Sequence, residues 1–258
     1  MKINKTFLII SGFLMTLSVS AFTQNGETIV TEDVKYTVGG MDFQGYLAYD
    51  SAVKGTRPGI IVVHEWTGLN DYAKFRAREL AKQGYVAFAA DMYGGGKEVP
   101  VSEARSMSGK VGSDFPLIKE RFTAALDVLE SNAMVDNTKV AAIGYCFGGG
   151  IVLNAARMGV ELQGIASFHA SINTGLDAGK GDVKTPLLVL QGAGDPAAPP
   201  QKQEAFRKEM NSAGANYEYV IYPDVNAHNF TNPEGSSYYP EEAEDAWGKM
   251  LDFFQEIF

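Results

Sequence analysis

The chain carries the sequence VAAIGYCFGGG at residues 140–150. Its first four residues are apolar and predict a short strand covered on both faces, while the glycines that follow predict a tight turn into a helix. Cys146 stands at the turn, in the place that serine takes in the G-x-S-x-G pattern of a nucleophile elbow. Side chains at Gly144 and Gly148 would collide as the strand and helix backbones approach each other. This stretch therefore predicts a sheet-and-helix fold with a nucleophile between one strand and one helix.

Cys146 is the only cysteine among the 258 residues. The chain can therefore form neither an internal disulfide bond nor a zinc site built from several thiolates. At a helix N-terminus, the free N–H groups and the helix dipole favour a thiolate over a thiol. The N–H of Phe147 would also point towards an oxyanion that forms at the reacting carbonyl. The alternative is a buried, inert cysteine beside a glycine-rich packing turn, but the elbow pattern favours the nucleophile.

Short β-rich runs alternate with amphipathic helical stretches along the rest of the chain. We predict strands at residues 33–38, 41–48, 59–63, 85–90, 140–144, 164–168, 186–190 and 217–222, and helices that begin near residues 71, 113, 201 and 240. This alternation indicates an α/β fold, with a mostly parallel sheet of about eight strands and helices on both faces. Together with the elbow it predicts the α/β-hydrolase fold, in one domain over residues 22–258. The Gly- and Ser-rich segment 94–112 is expected to be a mobile surface excursion.

Two side chains follow later strands in the order that this fold requires of a catalytic triad. Asp195 comes just after the strand predicted at 186–190, and His228 just after the strand predicted at 217–222. Loops beyond the carboxyl ends of parallel strands meet at one edge of the sheet, so both side chains can converge on Cys146. Taken alone, Asp195 is better explained by an Asp-Pro turn, and His228 is as readily a surface histidine. In this order and after these strands, they predict a Cys-Asp-His triad.

The loop after the predicted strand 59–63 has the sequence HEWTG at residues 64–68, which lacks the second histidine of a zinc-protease motif. In this fold the loop supplies a second N–H donor for the oxyanion, which we assign to Trp66. Glu65 is unexpected beside a thiolate, because like charge raises the pKa of a thiol. It either holds the resting thiol protonated until substrate arrives or is a solvated loop glutamate. His169, at another strand end, is expected to be a hydrogen-bonded structural histidine.

At these residues the chain resembles the dienelactone hydrolase family, a branch of the α/β-hydrolases with a Cys-Asp-His triad. The resemblance covers nearly all of residues 22–258. It is carried by HEWTG at 64–68, DMYG at 91–94, GYCFGG at 144–149, GAGDP at 192–196 and HNF at 228–230. It implies Cys146 as nucleophile, His228 as base and Asp195 as the group that orients the base. It also implies that Glu65 pairs with the resting cysteine and changes partner when substrate binds.

Two positions separate this chain from the dienelactone-cleaving members of the family that it resembles. Those members carry an arginine where this sequence has Gly95 and a second arginine where it has Asn232, and the two arginines hold the carboxylate of the substrate. Neither glycine nor asparagine can form the bidentate contacts that arginine gives an anion, although Lys97 or Arg121 could compensate. We therefore expect an uncharged ester or lactone rather than dienelactone itself.

The expected reaction is hydrolysis of a small carboxylic ester or lactone through a thioester on Cys146, as the resemblance to carboxymethylenebutenolidase-type enzymes implies. No metal or organic cofactor is expected. Tyr93 and Tyr145, with Trp66 and Phe147, are expected to line an apolar pocket, although ordinary core packing is an open alternative for Tyr93. Two other readings stay open: a non-catalytic binding protein that kept the fold, and a thiol-based redox protein, whose disulfide would have to be intermolecular. We expect the protein to be a monomer or a small homo-oligomer.

The N-terminal residues have the composition of an export signal. Lys2 and Lys5 precede an apolar run at residues 7–19, and small residues then suit cleavage after Ala21. Residues 1–21 are therefore interpreted as the signal peptide of a periplasmic or secreted protein, the alternative being a retained N-terminal anchor. Loss of the two lysines takes the net charge from −9 to −11. An acidic chain without a basic block is a poor candidate for nucleic-acid binding or for attachment to an anionic membrane.

Overall fold

The computed structural model describes residues 17–20, 28–172 and 175–258. The strands are Leu17–Ser20 (β1), Ile29–Val38 (β2), Met41–Asp50 (β3), Arg57–Val63 (β4), Val86–Ala90 (β5), Val135–Tyr145 (β6), Gly164–Phe168 (β7), Leu187–Gly192 (β8) and Tyr217–Tyr222 (β9). The helices are Asp71–Lys82 (α1), Val101–Gly112 (α2), Phe115–Glu130 (α3), Phe147–Arg157 (α4), Pro200–Ala213 (α5) and Pro240–Ile257 (α6).

The described strands form one sheet in the order β1-β2-β3-β5-β4-β6-β7-β8-β9. Pairing is antiparallel from β1 to β5 and parallel from β5 to β9, which confirms the predicted mostly parallel α/β sheet. The chain passes from β4 to β5 on one side and returns as β6 on the other side of β4. The crevice at the carboxyl ends of β4 and β6 is therefore a topological switch point, where ligands bind in open α/β sheets.

Helices cover both faces of the sheet, as the sequence predicts. Ile61 and Val63 of β4 point into a core that α2, α3, α4 and α5 close. Ile60 and Val62 point to the opposite face, which α1 and α6 close. All four side chains are fully buried, so their apolar run reflects a strand with a helix layer on each side.

The structure contradicts the prediction that residues 94–112 form a mobile excursion. The second half of the segment is α2, which packs against α3 and α4. Ala104 and Val111 are buried in the core and Met107 is partly buried beside them. These residues recur at helical spacing and form an apolar stripe. The prediction missed the stripe because it relied on the high content of serine and glycine in the segment.

β1 lies inside the predicted signal peptide, and Leu17–Ser20 pair antiparallel with residues 31–34 of β2. This strand is why the sheet has one strand more than the predicted eight. The other residues of the predicted signal peptide lie outside the described part of the chain, and export stays a prediction. Among the described residues, no helix combines the length and apolar character that a membrane span requires.

Candidate active site

The turn between β6 and α4 holds Cys146 in a strained conformation. Its φ of +55° and ψ of −115° lie where residues with a side chain are rarely found, at a cost on the order of 1–3 kcal/mol. A Cβ at Gly144 would lie 2.2 Å from the carbonyl oxygen of Gly148, and a Cβ at Gly148 would lie 2.3 Å from that of Val63. Both contacts are with backbone and cannot relax easily. The predicted steric role of these glycines is therefore met, and the N–H of Cys146 is fixed on Phe168 O at 3.1 Å.

Asp195 and His228 reach Cys146 from the ends of β8 and β9. His228 Nδ1 lies 3.0 Å from Asp195 Oδ1 and 2.8 Å from Asp195 Oδ2. Cys146 and His228 line the same cavity, and Cys146 lies near enough to His228 to help raise its pKa. Because the buried carboxylate only accepts hydrogen bonds, the proton of His228 stands on Nδ1 and Nε2 is left for the cysteine. The structure thus brings the three predicted triad residues together.

The surroundings of His228 determine the charge of its imidazole. Burial opposes a charged imidazole, but hydrogen bonds and charge from Asp195 and Cys146 outweigh it and raise the pKa of His228 from 6.5 to about 10. Asp195 is fully buried, and its carboxylate also accepts from Gln191 Nε2 at 2.6 Å and from Ala197 N at 2.8 Å. These donors hold the carboxylate in one orientation for the imidazole.

Glu65 is buried, with 6% of its surface exposed, so the alternative of a solvated loop glutamate is wrong. Its Oε2 accepts a hydrogen bond from Asn70 Nδ2 at 3.3 Å, and Asn70 also caps α1 by accepting from Ala73 N. Burial raises the pKa of Glu65, against smaller opposing effects of Asn70 and His228. The hydrogen bond of Glu65 in this structure is the one from Asn70, and the implied pairing of Glu65 with the resting cysteine stays a prediction.

Trp66 and Phe147 line the same cavity as Cys146. Phe147 is the first residue of α4, where an N–H group has no intrahelical acceptor. Trp66 lies in a turn closed by Gly68 N on Glu65 O. Both residues predicted to supply oxyanion donors therefore line the cavity of the nucleophile, Trp66 in the loop after β4 and Phe147 at the start of α4.

The two predicted pocket tyrosines lie behind the pocket wall. Tyr93 is 4% exposed, and its hydroxyl donates to Trp66 O at 2.9 Å, so it supports the oxyanion loop. Tyr145 is completely buried and stacks on Phe168 with ring centroids 4.7 Å apart. As the residue before the elbow, it points to the face of the sheet that α1 and α6 cover. Tyr145 as a pocket residue is therefore wrong, because strand neighbours alternate between faces.

The cavity over Cys146 has a volume of 570 Å³. Sequence reasoning missed much of its wall, which α2 supplies through Arg105, Ser108, Gly109 and Gly112 and α4 through Ile151 and Asn154. The only signal for these residues was the helical spacing of the buried side chains on α2.

The two cations that could compensate for the missing arginines, Lys97 and Arg121, do not line the cavity. Arg121 is buried, and its Nη1 donates to Met92 O at 2.6 Å. Neither Arg121 nor Lys97 is among the residues that line the cavity, whereas the exposed Arg105 is. No group of three or more potential metal ligands is present in the described residues.

The two other histidines are structural, as expected for His169. His64 Nε2 accepts from Met92 N at 3.1 Å, so Nδ1 carries the proton and donates to Glu65 O at 2.6 Å. Burial lowers the pKa of His64. His169 is also fully buried, and its Nε2 bonds to Thr231 Oγ1 at 2.9 Å.

Comparison with known proteins agrees with the fold. The chain is 29% identical over 229 residues to a Yersinia pestis protein assigned the name carboxymethylenebutenolidase, covering 83% of this chain and 84% of the relative. It is 29% identical over 240 residues to a Bradyrhizobium protein assigned the name 2-oxo-3-(5-oxofuran-2-ylidene)propanoate lactonase, covering 89% and 95%. A dienelactone hydrolase-like promiscuous phosphotriesterase from metagenomic libraries superposes with a TM-score of 0.83 at 32% identity, covering 90% of this chain and 99% of that structure.

The sequence profile of the dienelactone hydrolase family matches residues 43–258. This range contains the elbow, the carboxylate that orients the histidine, and every strand of the parallel part of the sheet. The chain is therefore a member of the dienelactone hydrolase family.

Proposed function

We propose that the protein hydrolyses a small carboxylic ester or lactone through a covalent thioester on Cys146. The observation that carries the proposal is the hydrogen bond between His228 and Asp195, with His228 and Cys146 both lining a 570 Å³ cavity. The raised pKa of His228 favours an imidazolium beside the sulfur at neutral pH. A thiolate paired with an imidazolium is the nucleophile that such catalysis needs.

In the acylation step, Cys146 Sγ attacks the carbonyl carbon and the electron pair of the C=O bond moves to oxygen. The N–H groups of Phe147 and Trp66 stabilise this oxyanion. When the intermediate collapses, the bond from carbon to the alkoxide oxygen breaks, and His228 Nε2 gives its proton to that oxygen. An alcohol leaves from an ester, whereas a lactone opens and keeps its hydroxyl on the acyl group.

In the deacylation step, His228 Nε2 takes a proton from water as the water oxygen attacks the thioester. The C–S bond then breaks, which releases the carboxylic acid and restores the thiolate–imidazolium pair. The sum is one water consumed for each ester bond cleaved, with no cofactor. The lactonase name of the Bradyrhizobium relative supports including lactones in this proposal.

The test is turnover of p-nitrophenyl acetate, a γ-lactone and a neutral phosphotriester by the wild type and by Cys146→Ala and Cys146→Ser. We expect loss of about three orders of magnitude in kcat for Cys146→Ala. Cys146→Ser, which keeps a nucleophilic atom in the same turn, should retain part of the activity. Intact-mass spectra of rapidly quenched reactions should show an acyl adduct on the wild type and on Cys146→Ser, but not on Cys146→Ala.

Two results would contradict the proposal. Unchanged turnover in Cys146→Ala would remove the nucleophile from the mechanism. Absence of turnover across the whole panel would favour a binding protein, and a stable intermolecular disulfide after dilute peroxide would favour a redox role.

Export is a separate part of the proposal and rests on residues 1–21 alone. N-terminal sequencing of the protein recovered from a periplasmic or culture fraction should begin at Phe22. A protein that retains Met1 there would contradict cleavage of the signal.

A further inference from the structure

Arg76 is a buried cation on the side of the sheet opposite the substrate cavity. It belongs to α1 and is 8% exposed. Its guanidinium lies 4.8 to 5.6 Å from the ring centres of Tyr72, Phe75, Tyr145 and Trp247. None of the ion pairs among the described residues includes Arg76. A buried charge without a paired carboxylate is costly, and ring faces offset that cost only in part.

The hydrogen bonds of Arg76 lead towards the catalytic histidine. Its Nε donates to the Tyr72 hydroxyl at 3.1 Å, the Tyr72 hydroxyl lies 2.7 Å from Thr231 Oγ1, and Thr231 Oγ1 lies 2.9 Å from His169 Nε2. All four residues are buried. We call this series the Arg76 chain.

The direction of the Arg76 chain is inferred from its first member, since either hydroxyl could donate in the contact between Tyr72 and Thr231. Arginine has donors only, so the Tyr72 oxygen accepts from it and the Tyr72 proton is directed to Thr231. The Thr231 hydroxyl then accepts from Tyr72, and its own proton has His169 Nε2 as acceptor. In this direction the proton of His169 stands on Nδ1, a buried atom for which the described residues supply no hydrogen-bond partner, and the ring is neutral.

Both ends of the chain touch the segment that carries the catalytic histidine. Arg76 Nη2 also donates to the carbonyl oxygen of Thr231 at 2.8 Å, three residues after His228. The ring of His169 meets the ring of His228 edge to face, with centroids 5.2 Å apart and an interplanar angle of 78°.

We propose that Arg76, Tyr72 and Thr231 are positioning residues, which hold the turn bearing His228 and keep its neighbour His169 neutral. This inference rests on the proposed function for its kinetic consequence, but the protonation of His169 can be measured without turnover. The residues themselves do not line the substrate cavity.

A neutral His169 matters because of the charges that face it. His228, Arg76 and Tyr145 are the titratable groups around its ring. Burial, followed by the charges of His228 and Arg76, lowers the pKa of His169 well below 6.5. A proton on His169 would place a second imidazolium against the imidazolium of His228 and push the two rings apart.

The first experiment observes the imidazoles directly. The sequence has three histidines, so a protein labelled with ¹⁵N-histidine gives three resolvable rings. We expect His169 to be the neutral Nδ1–H tautomer between about pH 5 and pH 8, with His64 as an internal reference for that tautomer. In Thr231→Val, His169 should no longer be confined to the neutral Nδ1–H tautomer, whereas in Thr231→Ser it should keep that tautomer. An Nε2–H or charged His169 in the wild type would overturn the proposed direction of the chain.

The second experiment measures kcat and KM on p-nitrophenyl acetate. Thr231→Val should lower kcat by about tenfold, the equivalent of one buried hydrogen bond, with KM changed less than twofold. The acid limb of the profile of kcat against pH should also move to higher pH in Thr231→Val, because His169 takes up a proton in this variant. Thr231→Ser should restore both values.

Arg76→Gln should lower kcat further than Thr231→Val, because it also releases Thr231 O. The matched control is Arg78→Gln on the same helix, whose side chain bonds to Tyr46 instead, and it should leave kcat unchanged. Equal losses in the two arginine variants, or an unmoved acid limb in Thr231→Val, would overturn the positioning role. An inactive wild type would refute the proposed function. The tautomer of His169 would still show whether the hydrogen bonds of the Arg76 chain run in the proposed direction.

Discussion

Gln191 Nε2 donates a hydrogen bond of 2.6 Å to Asp195 Oδ2, the oxygen that also accepts from His228 Nδ1 at 2.8 Å. Gln191 is the fifth residue of β8 and is fully buried. The strand that delivers the carboxylate therefore also supplies the donor that orients it. The acid is therefore oriented by β8 together with the loop beyond it, where Ala197 N donates to Asp195 Oδ1 at 2.8 Å.

Gln191→Met removes this donor while keeping the volume of the side chain. We expect kcat to fall about fivefold to tenfold, since the carboxylate can rotate away from the imidazole, and KM to stay nearly constant. The control is Gln201→Met, at the exposed start of α5. Equal kcat in the two variants would show that Asp195 does not depend on Gln191.

The pH dependence of kcat/KM follows from the raised pKa of His228. Below pH 6.5, the ordinary pKa of the group, His228 is entirely in the imidazolium form, and it loses this proton as pH rises through about 10. We therefore expect the basic limb of the profile of kcat/KM against pH to have its midpoint near pH 10. Asp195→Asn removes one of the two partners that raise the pKa, and the limb should move towards neutral pH. Asp224→Asn, an exposed change in the same loop as His228, should leave the limb in place. A limb near 10 in Asp195→Asn would contradict this account.

Glu65 can be tested through the reactivity of the resting cysteine. Cys146 lines the same cavity as His228 and helps raise its pKa, whereas Glu65 accepts a hydrogen bond from Asn70. We therefore expect alkylation by iodoacetamide at pH 7 to be fast in the wild type, and no more than about threefold faster in Glu65→Gln. Acceleration by tenfold or more would mean that Glu65 holds the resting thiol, as the family resemblance implies.

Arg105 tests the charge of the substrate. Its side chain is exposed at the cavity, where one ion pair contributes about 1 kcal/mol or less. Arg105→Gln should leave KM for a neutral ester unchanged, and raise KM for a matched ester with a free carboxylate by about fivefold at most. A wild-type preference of a hundredfold or more for the carboxylated ester would contradict the inference of an uncharged substrate.

The glycines of the elbow predict a stability effect. Gly148→Ala places a methyl group 2.3 Å from Val63 O, and we expect the free energy of unfolding to fall by about 3 kcal/mol. Gly248→Ala in α6 meets no atom within 4 Å and should raise it by up to about 1 kcal/mol. Urea denaturation of both variants gives the comparison, and equal midpoints would refute the steric argument.

The sequence was sufficient for residues whose place follows from strand ends. Cys146 directly follows β6, and Asp195 and His228 lie in the loops that follow β8 and β9; parallel strands bring such positions to one edge. The apolar run of β4 likewise identified a strand with helices on both faces. These inferences need only local pattern and chain order.

Residues that depend on packing between distant segments were beyond the sequence. Tyr145 belongs to the elbow motif, but the pleat of β6 turns it away from the cavity. Arg76 and Thr231 are 155 positions apart, and no local pattern relates them. The composition of α2 concealed its helix, and with it the wall that carries Arg105.

The elbow has a consequence for how this protein could change its chemistry. The backbone of the turn is fixed by Gly144, Gly148 and the N–H of Cys146 on Phe168 O, and none of these contacts involves the sulfur. Exchange of sulfur for oxygen therefore needs no rearrangement of the chain around it. A lineage with this turn could pass between thiol and alcohol nucleophiles by a single substitution, with the histidine and carboxylate already in position for either.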